Sequence, residues 1–283
     1  MIHINEMPMD FEPRRKILSK ISEQWSNAEN LIAMSEFESA FLCGAIKTFR
    51  PKKILEVGVL DGGSTSVILQ ALEDIGEPYE MHSVDIAAER PFKKGVETGF
   101  VAKFAKEKIF SLRGTHEFHL GKILPQVLDD IGGEIDFVIL DTMHMLPGEV
   151  LDFIAVLPYL KEDALVVMHD VAVNQHEYHT GWCDAYSNAA LFSAVTAEKF
   201  LNFDEKNFFR YPNIGAFKVS TLTAENIDNV FLTLILPWKY LPSQVELALY
   251  YQLYRKFYPI ELYEIFKEAV DMNAFNIMRA NRK

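Results

Sequence analysis

The chain has 283 residues, enough for one sizeable α/β domain with helical additions or for two small domains. Nearly half the residues are hydrophobic (49%) and 24% are charged, as in an ordinary globular protein. The net charge of −12 argues against a general nucleic-acid binder, which needs a basic face. The two cysteines, Cys43 and Cys183, have no CxxC partner, so neither a zinc knuckle nor a disulfide framework is expected. The start "MIHINEMPMD" lacks the basic-then-apolar order of a signal peptide. The longest apolar runs, such as "VFLTLIL", are too short for a bilayer, so a cytoplasmic protein with no membrane contact is the expectation.

Residues 11–49 read as helical. Ser35 and Glu38 have capping-box spacing before the apolar Phe41, Leu42, Ala45 and Ile46, and Pro51 stops the helix. "KKILEVGV" (52–59) is a buried strand. After the glycines, Val67, Ile68, Ala71, Leu72 and Ile75 recur at helical spacing, with Gly76 as C-cap. "YEMHSVDI" (79–86) is a second strand and "EFHLG" (117–121) a third, followed by a helix over 122–131. "IDFVILD" (135–141), apolar on both faces, fits a central parallel strand. Val150, Leu151, Phe153, Ile154 and Leu157 mark a helix, and "ALVVMHD" (164–170) is a fifth strand.

Residues 172–212 read as an active-site loop region with a helix near 186–200, and "NIGAFKVS" (213–220) as a late strand. From 223 onward the chain reads as helical, with a second capping-box pair at Ser243 and Glu246. The aromatic stripe Tyr250, Tyr251, Tyr254, Phe257 and Tyr258 suits helix packing or an oligomer contact. Strands alternating with helices predict a doubly wound, mostly parallel α/β sheet covered on both sides. The expected organisation is a helical segment over 1–50, an α/β domain over 51–222 and a helical appendage over 223–283, packed on the sheet or on a second copy.

The polar residues of interest end strands: Glu56, Asp85, Gly121, Asp141 and the pair His169–Asp170. In a parallel sheet those ends share one edge, where ligands bind. The stretch "ILEVGVLDGGST" (54–65) places Gly58, Gly62 and Gly63 after the first strand, without the G-x-G-x-x-G of a dinucleotide site or the G-K-[ST] of a phosphate loop. Glu56 would repel phosphate and suit a cationic ligand. Asp85 suits a ribose diol, as a bidentate acceptor. A nucleoside with a positively charged tail fits both acids, although acids ending strands are common without any ligand.

"EVGVLDGGST" resembles motif I of the class I S-adenosylmethionine-dependent methyltransferases, in the E-x-G-x-x-x-G-G-S form of the O-methyltransferase branch. That branch includes catechol-type enzymes, macrolide-sugar methyltransferases and relatives of cephalosporin hydroxylase. The resemblance runs from about residue 35 to 171 and implies a Rossmann-like methyltransferase fold. It also implies that Gly58, Gly62, Gly63 and Ser64 wrap the methionine part, that Asp85 holds the ribose, and that Gly121 and Lys122 lie near the adenine. Lys122 departs from the acid or serine common in the family. Glu38 is a further candidate to face the cofactor, beside its reading as a helix cap.

In metal-dependent relatives an acid ends the fourth strand and an acidic or amide pair ends the fifth. The matching residues are Asp141, His169 and Asp170, with His169 where a carboxylate is usual. An imidazole in that set shifts preference from Mg²⁺ toward Mn²⁺, Fe²⁺, Co²⁺ or Zn²⁺. His144 stands where catechol-type enzymes carry a lysine base, and is the candidate catalytic base beside Asp141. Asn174, His176, His179 and Trp182 are weaker candidates for the substrate pocket. The implied activity is methyl transfer from S-adenosylmethionine to an oxygen of a small-molecule acceptor, a sugar or glycan precursor among the candidates, with or without a divalent metal. A homodimer through the apolar tail is left open. The alternatives are a metal-dependent hydrolase or hydroxylase-like enzyme on the same fold, and a non-catalytic nucleotide-binding or assembly protein.

Overall fold

The computed structural model describes residues 4–91, 93–176, 184–203 and 212–280, apart from the side chain of His176. Its centre is an eight-stranded sheet. In chain order the strands are β1 (Ile4–Asn5), β2 (Lys53–Val57), β3 (Glu80–Asp85), β4 (Thr115–Leu120), β5 (Ile135–Leu140), β6 (Leu160–His169), β7 (Glu198–Leu201) and β8 (Ile214–Lys218). In space they run β1-β7-β8-β6-β5-β2-β3-β4. Every pairing is parallel except those of β8, which runs antiparallel to both β6 and β7. This is a doubly wound, mostly parallel sheet, as the alternation of strands and helices predicts.

Alternate residues of the inner strands feed two separate cores. Leu55, Val57, Val138, Leu140, Val166 and Met168 face one side, while Ile54, Phe137, Ile139, Leu165 and Val167 face the other. Both faces are covered by helices, which is why these strands read as continuous apolar runs. The capping boxes at Ser35–Glu38 and Ser243–Glu246 both form, and Gly76 ends its helix in the left-handed region at φ 79°.

Some elements depart from the sequence reading. The expected helix over 122–131 is a 3₁₀ turn, Leu124–Gln126, followed by a short helix, Leu128–Ile131; Pro125 has no N–H to extend an α ladder through that turn. The helix near 186–200 ends at Ala194, and the chain then forms β7. A segment as short as "EKFL" carries too little alternation to announce a strand. It is one because β8 and β1 pair with it on either side.

Sequence order turns around β2. The chain steps outward from β2 to β3 and β4, then crosses to β5 on β2's other side, so a crevice opens beyond the C-terminal ends of β2 and β5. Gly58 stands at its base with φ 95°, and a Cβ there would lie 1.7 Å from the carbonyl oxygen of Asp141. Only glycine lets the two strand ends pass this closely.

The C-terminal helix Gln244–Phe257 lies over helix Gly148–Val156, and Ile260–Ala280 packs on Gln244–Phe257 and on the helix Asp228–Thr233. Tyr254 is fully buried there, with its hydroxyl donating to the Leu151 carbonyl at 2.7 Å, and the Tyr258 hydroxyl donates to the Ile154 carbonyl at 2.6 Å. Phe231, Tyr254 and Phe266 join the same core as β2 and β5. Among the described residues no helix is long and apolar enough to cross a membrane. Replacing Tyr254 by alanine should therefore cost about 3–5 kcal/mol in urea unfolding, as for a fully buried aromatic. Tyr254→Phe, which loses only the hydroxyl, should cost about 1–2 kcal/mol.

Candidate active site

A cavity of about 580 Å³ occupies the crevice, within the size range of small-molecule sites. Its walls include Gly58, Gly63 and Ser64 from the turn after β2, Asp85 at the end of β3, and Lys122 after β4. Asp141 and His144 line it beyond β5, with His169 and Asp170 at the end of β6. Glu38 lines it as well, and so do Tyr240, Glu246 and Tyr250 from the C-terminal part and Asp152 beneath them.

On the glycine side, three expected residues are not on the wall. Glu56 is 1% exposed and lies beneath the turn, accepting from the hydroxyls of Thr65 at 2.8 Å and Ser83 at 2.6 Å. Burial pushes its pKa up to about 7 against those hydrogen bonds. Glu56 therefore braces the turn from below instead of meeting a cationic ligand. Gly62 packs against the helix Phe100–Lys108, where a Cβ would come within 2.9 Å of the Gly99 Cα and 3.1 Å of the Ala102 Cβ. Gly121 has φ 71° and turns the chain so that Lys122, not Gly121 itself, reaches the wall.

Asp85 does reach the wall, but with its carboxylate already engaged. One oxygen accepts from the backbone N–H of Val59 at 2.9 Å and of Leu60 at 3.1 Å, and the other from Ala87 at 2.8 Å. A carboxylate offers about four acceptor positions, so roughly one remains for a ligand hydroxyl. Asp85 thus also fixes the turn, which occupies acceptor positions that a bidentate grip on a diol would use.

On the other side, an ionic cluster joins three strand ends and a helix start. His169 Nδ1 lies 3.1 Å from Asp141 and 3.4 Å from Asp170, and its Nε2 lies 3.4 Å from Glu38. His144 Nε2 lies 3.0 Å from Asp170 and 3.9 Å from Asp141, with its Nδ1 3.4 Å from the buried Glu149. Asn213, the residue before β8, donates to both Glu38 and Asp170 at 2.7 Å. Asn188 donates to the His169 carbonyl at 2.6 Å. His144 and Asp170 both sit in the left-handed region, at φ 58° and 56°, a strained choice for side-chain-bearing residues that is concentrated at functional sites.

The charges follow from this packing. Burial opposes a charge on His169, but the carboxylates of Asp141 and Asp170 outweigh it and hold its pKa well above the usual histidine value. Burial likewise opposes a charge on His144. The hydrogen bonds it donates to Asp170 and Glu149 and the charges of Asp170 and Asp141 lift its pKa to about 10 all the same. Burial raises Glu38, yet His169 and Asn213 bring it down to about 2, and Asp170 is lowered by the charge of His169 and the bond from His144. The two imidazolium rings thus stand between the carboxylates. Carboxylate repulsion, by itself, gives no reason to require a metal. It also means that His144 carries its proton at neutral pH and cannot take another one.

The donor set nonetheless suits a divalent ion. Ligand atoms of Glu38, His169 and Asp170 lie within 4.8 Å of one another, as do those of Asp141, His144 and Asp170. Asp170 is common to both groups, while His169 and Asp141 fall in different ones.

Asn213, Asn188, Glu149, Asp152, Tyr240, Glu246 and Tyr250 escaped the sequence reading. Asn213 had a usable signal: it precedes a strand, and an antiparallel neighbour of β6 brings its start to the end of β6. The tail residues had none. Asn174 is not on the wall, although Val173 beside it is. His179, Trp182 and Cys183 lie outside the described residues, as does the side chain of His176.

A glycine turn after the central strand, an acid at the next strand end and a cavity across the switch point stand together at this edge of the sheet. Residues 55–171 match a family model described as a methyltransferase domain. Among curated proteins none matches the sequence. A Klebsiella pneumoniae protein provisionally named an O-methyltransferase shares the fold at 16% identity, covering 72% of this chain and 90% of its own, with a TM-score of 0.50. The O-methyltransferase TomG of Streptomyces achromogenes, involved in tomaymycin synthesis and solved with S-adenosylmethionine, aligns at 20% identity over 75% of this chain and 91% of its own, with a TM-score of 0.49.

The cluster sets a pH window for stability. Glu38, lowered to about 2 from its ordinary 4.5, contributes fully above pH 4.5 and loses its contribution as pH falls through about 2. His144, raised to about 10 from 6.5, contributes fully below pH 6.5 and loses its contribution as pH rises through about 10. Thermal unfolding should show this contribution at its maximum between pH 4.5 and 6.5, falling on both sides. His144→Gln should reduce the alkaline limb to the part that His169 carries and shrink the part of the acid limb that Asp170 owes to His144, leaving the part due to Glu38.

Proposed function

We propose that the chain transfers the methyl group of S-adenosylmethionine to an oxygen of a small molecule. The observation that carries the reading is the single cavity in which the glycine turn and the ionic cluster face each other across the β2–β5 crevice. Two aligned structures named as O-methyltransferases, TomG and a Bacillus cereus enzyme, hold S-adenosylmethionine and its demethylated product. A small-molecule hydroxyl, with a sugar or glycan precursor among the candidates, is the acceptor we propose.

In this reading the backbone from Gly58 to Ser64 packs along the amino-acid part of the nucleoside, the free acceptor position of Asp85 takes one ribose hydroxyl, and Ile123 and Leu124 flank the base. When bound, S-adenosylmethionine supplies an electrophilic methyl carbon on a sulfonium. The chain's own part is to hold the acceptor oxygen in line with it and to remove its proton. The carboxylate of Asp141 receives the acceptor proton, and the imidazolium of His144, held by Asp170 and Glu149, places a positive charge beside it. A divalent ion, if used, would be held by Asp170 with Asp141 and His144 or with Glu38 and His169, would lower the acceptor pKa, and would push His144 toward its neutral, basic form.

Calorimetry with S-adenosylmethionine and its demethylated product tests this directly. Both should bind, and Asp85→Asn should weaken binding by about 10–100-fold, the worth of a hydrogen bond to a charged group. Chelation should leave nucleoside binding intact. Absence of binding for either nucleoside at millimolar concentration overturns the reading. Metal-dependent turnover without the nucleoside would assign the chain to the hydrolase or hydroxylase-like class instead.

A further inference from the structure

A second cluster of metal-ligating side chains lies away from the cavity, on β3 and the edge strand β4. In the strand register His82 pairs with Glu117 and Val84 with His119, so the side chains of His82, Glu117 and His119 stand on one face of the sheet. His82 is 8% exposed and His119 9%, while Glu117 is exposed. Their ligand atoms lie within 4.8 Å of one another. His82 Nδ1 and His119 Nε2 face each other at 3.0 Å.

The surroundings already prepare both rings as ligands. His82 Nε2 lies 2.7 Å from the Glu80 carboxylate, which Lys53 holds from the other side at 3.3 Å. Lys53 is itself anchored, donating to the Ile131 carbonyl at 2.6 Å. With Nε2–H donated to Glu80, the Nδ1 lone pair of His82 points at His119. A carboxylate that fixes the tautomer of a liganding histidine is the usual outer contact of a metal site. His119 faces His82, Glu117, Lys122 and Asp130. Burial first, then the charges of His82 and Lys122, hold its pKa below the ordinary histidine value despite Glu117 and Asp130. Burial thus favours the neutral form of His119, the form that binds metal.

We propose that His82 Nδ1, His119 Nε2 and the Glu117 carboxylate bind a divalent transition ion of the zinc type, clipping the edge strand β4 to β3. Without the ion, His119 Nε2–H donates to His82 Nδ1. On binding, His119 moves that proton to its own Nδ1 and offers the Nε2 lone pair, so neither ring changes charge and no proton is lost. Tetrahedral zinc with bonds of about 2.0–2.1 Å sets its nitrogen ligands roughly 3.3–3.4 Å apart, so the nitrogens must part by about 0.3–0.4 Å and each ring must turn to aim its lone pair at the ion. Two imidazoles and one carboxylate favour zinc, cobalt or nickel over magnesium or calcium. Solvent at the sheet edge completes the coordination beside the exposed Glu117. The site is independent of the methyl-transfer reading, since none of its ligands lines the cavity.

The test uses tag-free full-length chain carrying Asp170→Asn, which removes the residue shared by both ligand groups of the cavity. Chelator-stripped protein is titrated with Co²⁺, read by visible absorption and by equilibrium dialysis, and its thermal midpoint is compared with and without Zn²⁺. One equivalent should bind and raise the midpoint by several degrees. His119→Gln should weaken binding by at least about 100-fold and abolish the shift. Glu80→Gln should weaken it about 10–100-fold, as for other outer-contact losses. Should His119→Gln fail to fold by circular dichroism, the surface substitution Glu117→Gln decides alone, with at least about a tenfold loss expected. Unchanged stoichiometry and affinity in the folded variants, or no ion bound by the Asp170→Asn protein at about 100 µM, overturns the proposal.

Discussion

The site depends on one close approach, the passage of Gly58 across the carbonyl of Asp141. The amide of Gly58 is held by the Val84 carbonyl at 2.9 Å, and the amide of Asp141 by the Val57 carbonyl at 2.9 Å. These bonds splice the ends of three neighbouring strands at one level. Because no Cβ intervenes, the turn that follows β2 and the loop that follows β5 diverge from almost the same point. One becomes the glycine side of the cavity and the other carries Asp141 and His144. A wider crossing would separate the two halves of the site, whatever side chains each half contained.

The ionic cluster is the opposite kind of element, fixed by charge and not by shape. Buried carboxylates are costly without partners, and here the partners are two imidazolium rings and the amide of Asn213. The arrangement is satisfied without an ion, yet it offers ligand atoms at metal-binding separations. Protons and a divalent cation would therefore compete for the same positions. The strained φ values of His144 and Asp170 belong to the same design: each loop bends sharply enough to turn its side chain back into the group.

Much of this was legible in the sequence, for identifiable reasons. β2, β3, β5 and β6 are buried on both faces, so their apolar runs are unmistakable, and a parallel sheet forces their terminal residues onto one edge. That logic brought Asp85, Asp141, His169 and Asp170 together correctly. It failed for Glu56, because position at a strand end does not say which way a side chain points. Glu56 turns under the sheet edge, where Thr65 and Ser83 supply hydroxyls that no spacing rule singles out. It could not anticipate the C-terminal wall either. Tyr250 lies on an amphipathic helix whose periodicity reveals a buried face but not what that face meets. In fact Tyr250 reaches both the cavity and the Asp152 carboxyl, at 3.0 Å.

Glu38 joins two roles that the sequence presented as alternatives. Its Oε2 accepts from the Ser35 amide at 2.7 Å and closes the cap of helix Glu36–Phe49, while its Oε1 accepts from Asn213 and the same carboxylate faces His169. One side chain is thus both the first knot of an N-terminal helix and a corner of the ionic cluster. Unwinding the first turn of that helix would withdraw a negative charge from beside His169, and any change in the charge of the cluster would be felt as tension on the cap. The helical segment ahead of the sheet is therefore not a detachable cover. Its order and the electrostatics of the crevice form a single cooperative unit, tied through one carboxylate.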